Sequence, residues 1–283
     1  MARKLFCELG PLAYRISHQK EIVRRRLRDI AETERYAAAK SQDELPILIQ
    51  KHKSLIRRAL NNVDMTLQEN KAKSLGLAAP KVSHVLIRPG EVFSFWRLVG
   101  SCSRRKGYLD GVTISNGNPT KGVGGGMCQF TNLLHWMFLH TNLDVVEHHH
   151  HNGLDLFPDF NRQIPFGTGT SIVYNYLDYR VKNNTDMTFQ VIVYTTDEYL
   201  CGEIRAERPM EEKIHIREED AHFFEEDGAL YRHNKIYRRV VDKRTGNTLE
   251  DKLLLSNTAK TMYGKEFVPP EKIRPSAQAL AAK

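Results

Sequence analysis

Apolar residues recur at helical spacing through the first part of the chain. In the stretch 17–40, SHQKEIVRRRLRDIAETERYAAAK, the residues Val23, Leu27 and Ile30, with Ile16 just ahead, keep a period near 3.6 with Arg and Glu between them. That spacing predicts an amphipathic helix. Pro46 opens a second predicted helix, PILIQKHKSLIRRALNNVDM, with Leu48, Leu55, Ile56 and Leu60 on its apolar face. A third, TLQENKAKSLGLAAPKVSHV, is expected to run to about Leu77 and to fray at Gly76 or Pro80.

From residue 81 the texture changes. VLIRPGEVFSFWRLVG has short apolar runs broken by Pro89-Gly90, a turn signal between strands. KGYLDGVTISNG is similar, with Asp110-Gly111 and Asn116-Gly117 as turn candidates. CQFTNLLHWMFLHTN stays apolar for too long to be a strand and reads as a largely buried helix, and LDVVEHHHH reads as the next strand. Further strands are expected in SIVYNYLDYRVKNNTDMTFQVIVYTTDEYLCGEIRAE, joined at Asn183-Asn184 and Thr196-Asp197, and hairpins at Asp227-Gly228 and Thr245-Gly246. The resulting class is α+β. A basic helical N-terminal region (1–80) precedes a mainly antiparallel sheet packed around one buried helix (81–210). A β-hairpin extension (211–268) and a flexible tail (269–283) follow.

Composition narrows the picture. Hydrophobic residues at 41% and charged residues at 27% of 283 are ordinary for a folded globular chain. No run approaches the roughly 18 apolar residues of a membrane span, and the N-terminus lacks the apolar core of a signal peptide, so a cytoplasmic location is expected. Four scattered cysteines without a CxxC pair read as reduced thiols, not as a disulfide framework or zinc ribbon. The net charge of +8 is concentrated early: residues 1–60 hold 14 Lys/Arg against 7 Asp/Glu. Such a segment is either a solvated helical face or a contact for an anionic membrane surface; no nucleic acid partner is expected.

The candidate chemistry lies in GVGGGMCQFTNLL, residues 122–134. Glycine at Gly124, Gly125 and Gly126 grants close backbone approach at an entropic cost. Cys128 falls in the first turn of the predicted helix, where unpaired N–H groups and the helix dipole favour a thiolate. Backbone N–H groups of the glycine turn and the Gln129 side chain would form an oxyanion hole. A nucleophilic cysteine needs a base, and His149 or His151, sharing one face of the strand, supplies it. Asp178 is the preferred orienting group and Asp159 the alternative. The order Cys on a helix, His on a strand, polar residue on the next strand is also that of papain-like thiol enzymes, as an analogy of layout.

Two other readings remain open. A cysteine in an apolar helix also serves as a small core residue. The four histidines His148, His149, His150 and His151 would otherwise form a metal site, with or without Cys128, although their spacing matches no familiar zinc signature. The glycine run is not a phosphate loop, because no Lys-Ser/Thr follows it, and no cofactor is expected.

The same residues carry a family resemblance. QENKAKSLGLAAPKVSHVLIRPGEVFSFWRLVG, YLDGVTISNG and GGGMCQFTNLLHWMFLHT resemble the VanW family, in its compact, leaderless branch, from roughly residue 55 through the C-terminal hairpins. The family's PGE-x-FSFW element falls on Pro89, Gly90, Glu91 and Phe93, Ser94, Phe95, Trp96; its GGGxCQ on Gly124, Gly125, Gly126, Cys128 and Gln129. Its H-x-H falls on His149 and His151, and its L-D with R-x-x-N on Leu177, Asp178, Arg180 and Asn183. Where members often read G-x-D-A-T, this chain has Gly167, Thr168, Gly169, Thr170 and Ser171, so the acid is missing. The resemblance implies cell-envelope or peptidoglycan biology with a peptide-like or wall-related small substrate. Three functions follow as expectations: a Cys128 thiol enzyme acting on an amide or peptide bond, with Ser94 and Trp96 near its substrate; a non-catalytic accessory or binding module; or a metal site.

Overall fold

The computed structural model describes residues 5–57, 64–115, 118–150, 153–155, 158–159 and 163–275. The chain begins with α1 (Pro11–Ala31), β1 (Arg35–Tyr36), β2 (Ile47–Leu55), α2 (Met65–Val82), β3 (Val85–Ile87), β4 (Glu91–Ser94) and the short α3 (Phe95–Val99). Next come β5 (Asp110–Ser115), β6 (Asn118–Val123), α4 (Met127–Phe138), β7 (Asp144–Glu147), β8 (Leu154–Asp155) and β9 (Arg180–Lys182). The remainder is β10 (Phe189–Thr195), β11 (Tyr199–Ala206), β12 (Glu212–Glu226), β13 (Ala229–Asp242), β14 (Thr248–Thr261) and β15 (Ile273–Arg274).

These strands form a sheet ordered β1-β4-β9-β7, a second ordered β2-β11-β10-β3, a third ordered β15-β12-β13-β14-β8, and the β5-β6 hairpin. Most pairings are antiparallel, and with the helices they make an α+β fold. The apolar run after the glycines is the predicted helix α4, and it sits in the core: Phe130, Leu133, Leu134, Met137 and Phe138 are all buried. Each such side chain contributes about 1.5–3 kcal/mol by leaving water, before the entropy of ordering it is subtracted. Strands β10 and β11 meet at the predicted Thr196-Asp197, and β12 and β13 at Asp227-Gly228, where both residues take positive φ (49° and 72°) as a type I′ hairpin turn requires.

Several elements differ from the sequence reading. Residues 47–55 form a strand, not a helix: β2 pairs antiparallel with β11 from Leu55↔Tyr199 to Ile47↔Ala206. Leu48 and Leu55, placed on a buried helical face by the pattern, are exposed, whereas Ile49 packs on the core. A partner strand far away in sequence overrides local propensity here. Helix α2 runs past Gly76 and Pro80 to Val82, because Leu75, Ala78, Ala79 and Val82 are buried and their packing outweighs the breakers. The candidate turn Asp110-Gly111 opens β5 instead, Asn116-Gly117 lies outside the described residues, and Ile273–Arg274 pairs with β12 in the segment expected to be loose.

Helix α1 starts at Pro11, whose missing N–H costs nothing in the first turn, and ends at Ala31, so the predicted helix stops nine residues short. Its orientation is inverted relative to an ordinary surface helix. Ile22, Arg25 and Asp29 are buried, while Leu12 (70%), Ile16 (52%), Val23 (53%), Leu27 (63%) and Ile30 (78%) are exposed. The periodic apolar stripe is real, but it faces outward.

Candidate functional site

The glycine turn is shaped by what presses on it. Gly124 (φ +81°) and Gly126 (φ +103°) occupy the left-handed region that L side chains rarely adopt. A Cβ on Gly124 would lie 2.5 Å from Cys102 Cβ, one on Gly125 2.4 Å from the Gly111 carbonyl carbon, and one on Gly126 2.5 Å from Lys71 Cγ. Gly126 is also the N-cap of α4. The run therefore lets one turn pack against the loop at Cys102, the backbone of β5 and the side of α2 at once.

Cys128 occupies the first turn of α4 as expected, half-buried and packed against the core. Burial pushes its thiol up, and the Ile172 N–H that hydrogen-bonds to it pulls only partly the other way. The expected lowering by the helix terminus is thus outweighed by desolvation. Gln129 is committed elsewhere: its Nε2 donates to Ser54 Oγ (2.9 Å) and to the Leu55 carbonyl (2.8 Å), tying α4 to the end of β2.

Ser94, Trp96 and Asp178 come together, but around a structural centre. Asp178 lies just ahead of β9 and accepts from Ser94 Oγ (2.5 Å), the Trp96 N–H (3.0 Å), the Tyr179 N–H (2.8 Å) and Arg180 Nε (2.9 Å). The Trp96 indole donates to the Leu177 carbonyl (3.1 Å). No imidazole bonds to Asp178 among the described residues. The carboxylate that reaches His149 is Glu147, two residues earlier on β7, at 2.9 Å from His149 Nε2. Glu147 also accepts the Asp178 N–H (2.8 Å) and pairs with Arg25. Burial works against its charge, but donation from Arg25, His149 and the Asp178 N–H prevails and holds the carboxyl at about 2. Arg25 and Arg180 share Asp29, and Arg180 also donates to Tyr36 Oη (2.7 Å). This buried ion network joins α1, β1, α3, β7 and β9. The alternative orienter Asp159 instead grips Arg232 at 2.9 and 2.6 Å, beside a cavity of about 320 Å³.

The other half of α4 faces open space. His135, His148 and His150 line a cleft of about 370 Å³ between α4, β7 and strands β13 and β14. The rings of His135 and His148 stack at 4.0 Å between centroids, and His148 meets His150 at 4.1 Å. His135 Nδ1 lies 3.1 Å from Tyr179 Oη, and His148 Nε2 donates to the Gly169 carbonyl at 3.1 Å. Burial, reinforced by the neighbouring rings, lowers all three imidazoles, His148 to about 4, so they are neutral at pH 7. Arg238 edges the cleft but is paired with Glu250 (2.9 Å) and with the Thr141 carbonyl (3.1 Å). Among the described residues no group of three or more His, Cys, Asp or Glu is arranged to hold a metal.

The described histidines divide as the expected alternation has it, His148 and His150 to one side and His149 to the other, although the strand itself ends before them. Strand β7 stops at Glu147; His148 and His150 turn together to His135, His149 turns to Glu147, and His151 lies outside the described residues. Sequence reasoning passed over His135 because it sits inside an apolar helix, although a titratable residue between Leu134 and Trp136 in such a run was a usable signal. Gly169, where the family's acid would stand, faces Asn132 of α4 and lends its carbonyl to His148.

Comparison with known proteins places these features. A family model described as VanW like protein matches residues 70–205. The chain is 36% identical over 228 residues to the vancomycin B-type resistance protein VanW of Enterococcus faecalis (strain ATCC 700802 / V583), covering 81% of this chain and 82% of that protein. It is 29% identical over 119 residues to the uncharacterised protein YoaR of Bacillus subtilis (strain 168), covering 40% of this chain and 36% of that one. No solved structure matches.

Proposed function

The chain belongs to the VanW family, and on that premise we propose that it is a non-catalytic binding module in vancomycin-type resistance that holds a small, peptide-like wall component in the histidine cleft. The observation that carries this reading is the row of neutral imidazoles along a cleft of about 370 Å³. His148 and His150 donate to the Gly169 and Gly167 carbonyls, which leaves one ring nitrogen of each as an acceptor suited to the N–H groups of a peptide backbone. Apolar walls from Phe138, Leu143 and Ile236 suit the aliphatic parts of such a ligand. The relative's name supplies the resistance context. Support from the other side is that the glycines, Gln129 and Asp178 each have a packing or hydrogen-bonding partner that accounts for them.

A thiol enzyme, with Cys128 as nucleophile and His149 or His151 as base, is the second reading. It is favoured by the sulfur's position in the first turn of α4 opposite the Ile172 N–H. Calorimetric titration with a synthetic peptidoglycan stem pentapeptide separates the two. The binding module gives saturable heat with wild type, at least about tenfold weaker affinity in His150→Ala, and unchanged peptide afterwards. Absence of binding overturns it, as does peptide cleavage that Cys128→Ala abolishes, which would establish the enzyme.

A further inference from the structure

We propose that α1 is an in-plane anchor that lays its apolar stripe into the surface of an anionic lipid bilayer. The inference does not depend on what the histidine cleft binds. The helix is docked on the protein by its polar side: Arg25 pairs with Glu147, and Asp29 pairs with both Arg25 and Arg180. This docking fixes which side faces out. At 3.6 residues per turn, Leu12, Ile16, Val23, Leu27 and Ile30 fall in one narrow stripe on the far side, and all five are exposed. The exposed Leu5, Phe6 and Leu9 lie immediately ahead of the helix. An apolar surface of that extent on one helix marks a contact with something else.

Charge decides the occupant. On the same helical projection, Lys20 and Arg24 border the stripe on one side and Arg15 and Arg26 on the other, all four exposed. Glu21 touches Lys20 (3.2 Å) and Arg24 (3.9 Å) from the side away from the stripe. A second copy of the chain packed stripe to stripe would set basic rim against basic rim, which is repulsive. An apolar stripe between two basic rims is instead the arrangement of helices that lie in a lipid interface, where the apolar side chains enter the acyl boundary and the cations meet anionic headgroups. No helix among the described residues is long and apolar enough to cross a membrane, so α1 lies on the surface.

The test is co-sedimentation of the full chain with vesicles of phosphatidylglycerol in phosphatidylcholine, compared with phosphatidylcholine alone. The expected result is pelleting with the anionic vesicles only, weakened at about 0.5 M NaCl. Ile16→Ser/Leu27→Ser and, separately, Arg24→Glu/Arg26→Glu are each expected to lower the partition at least about tenfold. These side chains are exposed, and unchanged circular dichroism confirms that each variant is folded. The proposal is overturned by wild type staying in the supernatant, by equal binding to both vesicle types, or by variants that pellet like wild type. It is equally overturned if sedimentation velocity finds a dimer that Ile16→Ser/Leu27→Ser dissociates while no vesicle binding occurs.

Discussion

The two ends of α4 present opposite solutions to the same problem of placing polar groups beside a core. At its N-terminal end, three glycines are closed in by Cys102, β5 and α2 and Cys128 packs against the core, and the carboxylate of Asp178 likewise has its oxygens filled by Ser94, Trp96 and Arg180. Toward its C-terminal end, His135 stacks with His148 and His150 along open volume. The first region spends its unusual residues on close packing; the second leaves hydrogen-bonding capacity facing a cleft. Chemical conspicuousness in a sequence and availability in the fold are therefore different properties.

The contrast can be broken most severely on the closed side. Asp178→Ala removes the acceptor of four donors and leaves the buried Arg180 Nε and the Trp96 and Tyr179 N–H groups without it; it is expected to cost about 3–5 kcal/mol in urea unfolding. A loss below about 1 kcal/mol would show that the network is not the support described. Gly125→Ala comes next. Its Cβ would stand 2.4 Å from the Gly111 carbonyl carbon, and two backbones have no flexible end to yield, so a loss of about 1–3 kcal/mol is expected by the same measurement.

The smallest effect sharpens the open side. His148 in the folded chain titrates at about 4 against an ordinary value of 6.5, so between those values the unfolded chain binds a proton that the folded chain refuses. Its contribution to stability is complete above about pH 6.5 and is lost as pH falls through about 4. Glu147, held at about 2, acts with the same sign in a more acid window, below its ordinary 4.5. Melting temperature is thus expected to fall from pH 7 to pH 5. His148→Gln, which keeps a donor for the Gly169 carbonyl, is expected to make that fall shallower. An unchanged slope would mean that His148 is not the buried neutral base that its surroundings require.

Much of the fold was legible where signals were local. Helix α4 announced itself by an apolar run too long for a strand, and the Asp227-Gly228 hairpin by its turn residues. Strand β2 was not legible, because ILIQKHKSL becomes a strand only through β11, a partner no local window contains. At the site, Cys128 was placed correctly in its helical turn, yet the electrostatics there depended on how deeply the sulfur is buried, which spacing does not reveal. Glu147 was overshadowed by the histidines that follow it, and His135 by the apolar residues around it. The apolar period of α1 was read correctly, but its direction was set by Arg25 and Asp29, which a hydrophobic pattern counts only as gaps.

The shared grip of Asp29 on Arg25 and Arg180 has a bearing on how short this protein can be made. The stretch that the family model matches, 70–205, contains Arg180 but neither of the α1 residues that complete its surroundings. A fragment trimmed to that stretch would carry a guanidinium into its interior deprived of its bidentate counter-ion. A piece that keeps Arg180 paired with Asp29 accordingly has to begin upstream of that stretch, with the helix whose outer side faces away from it.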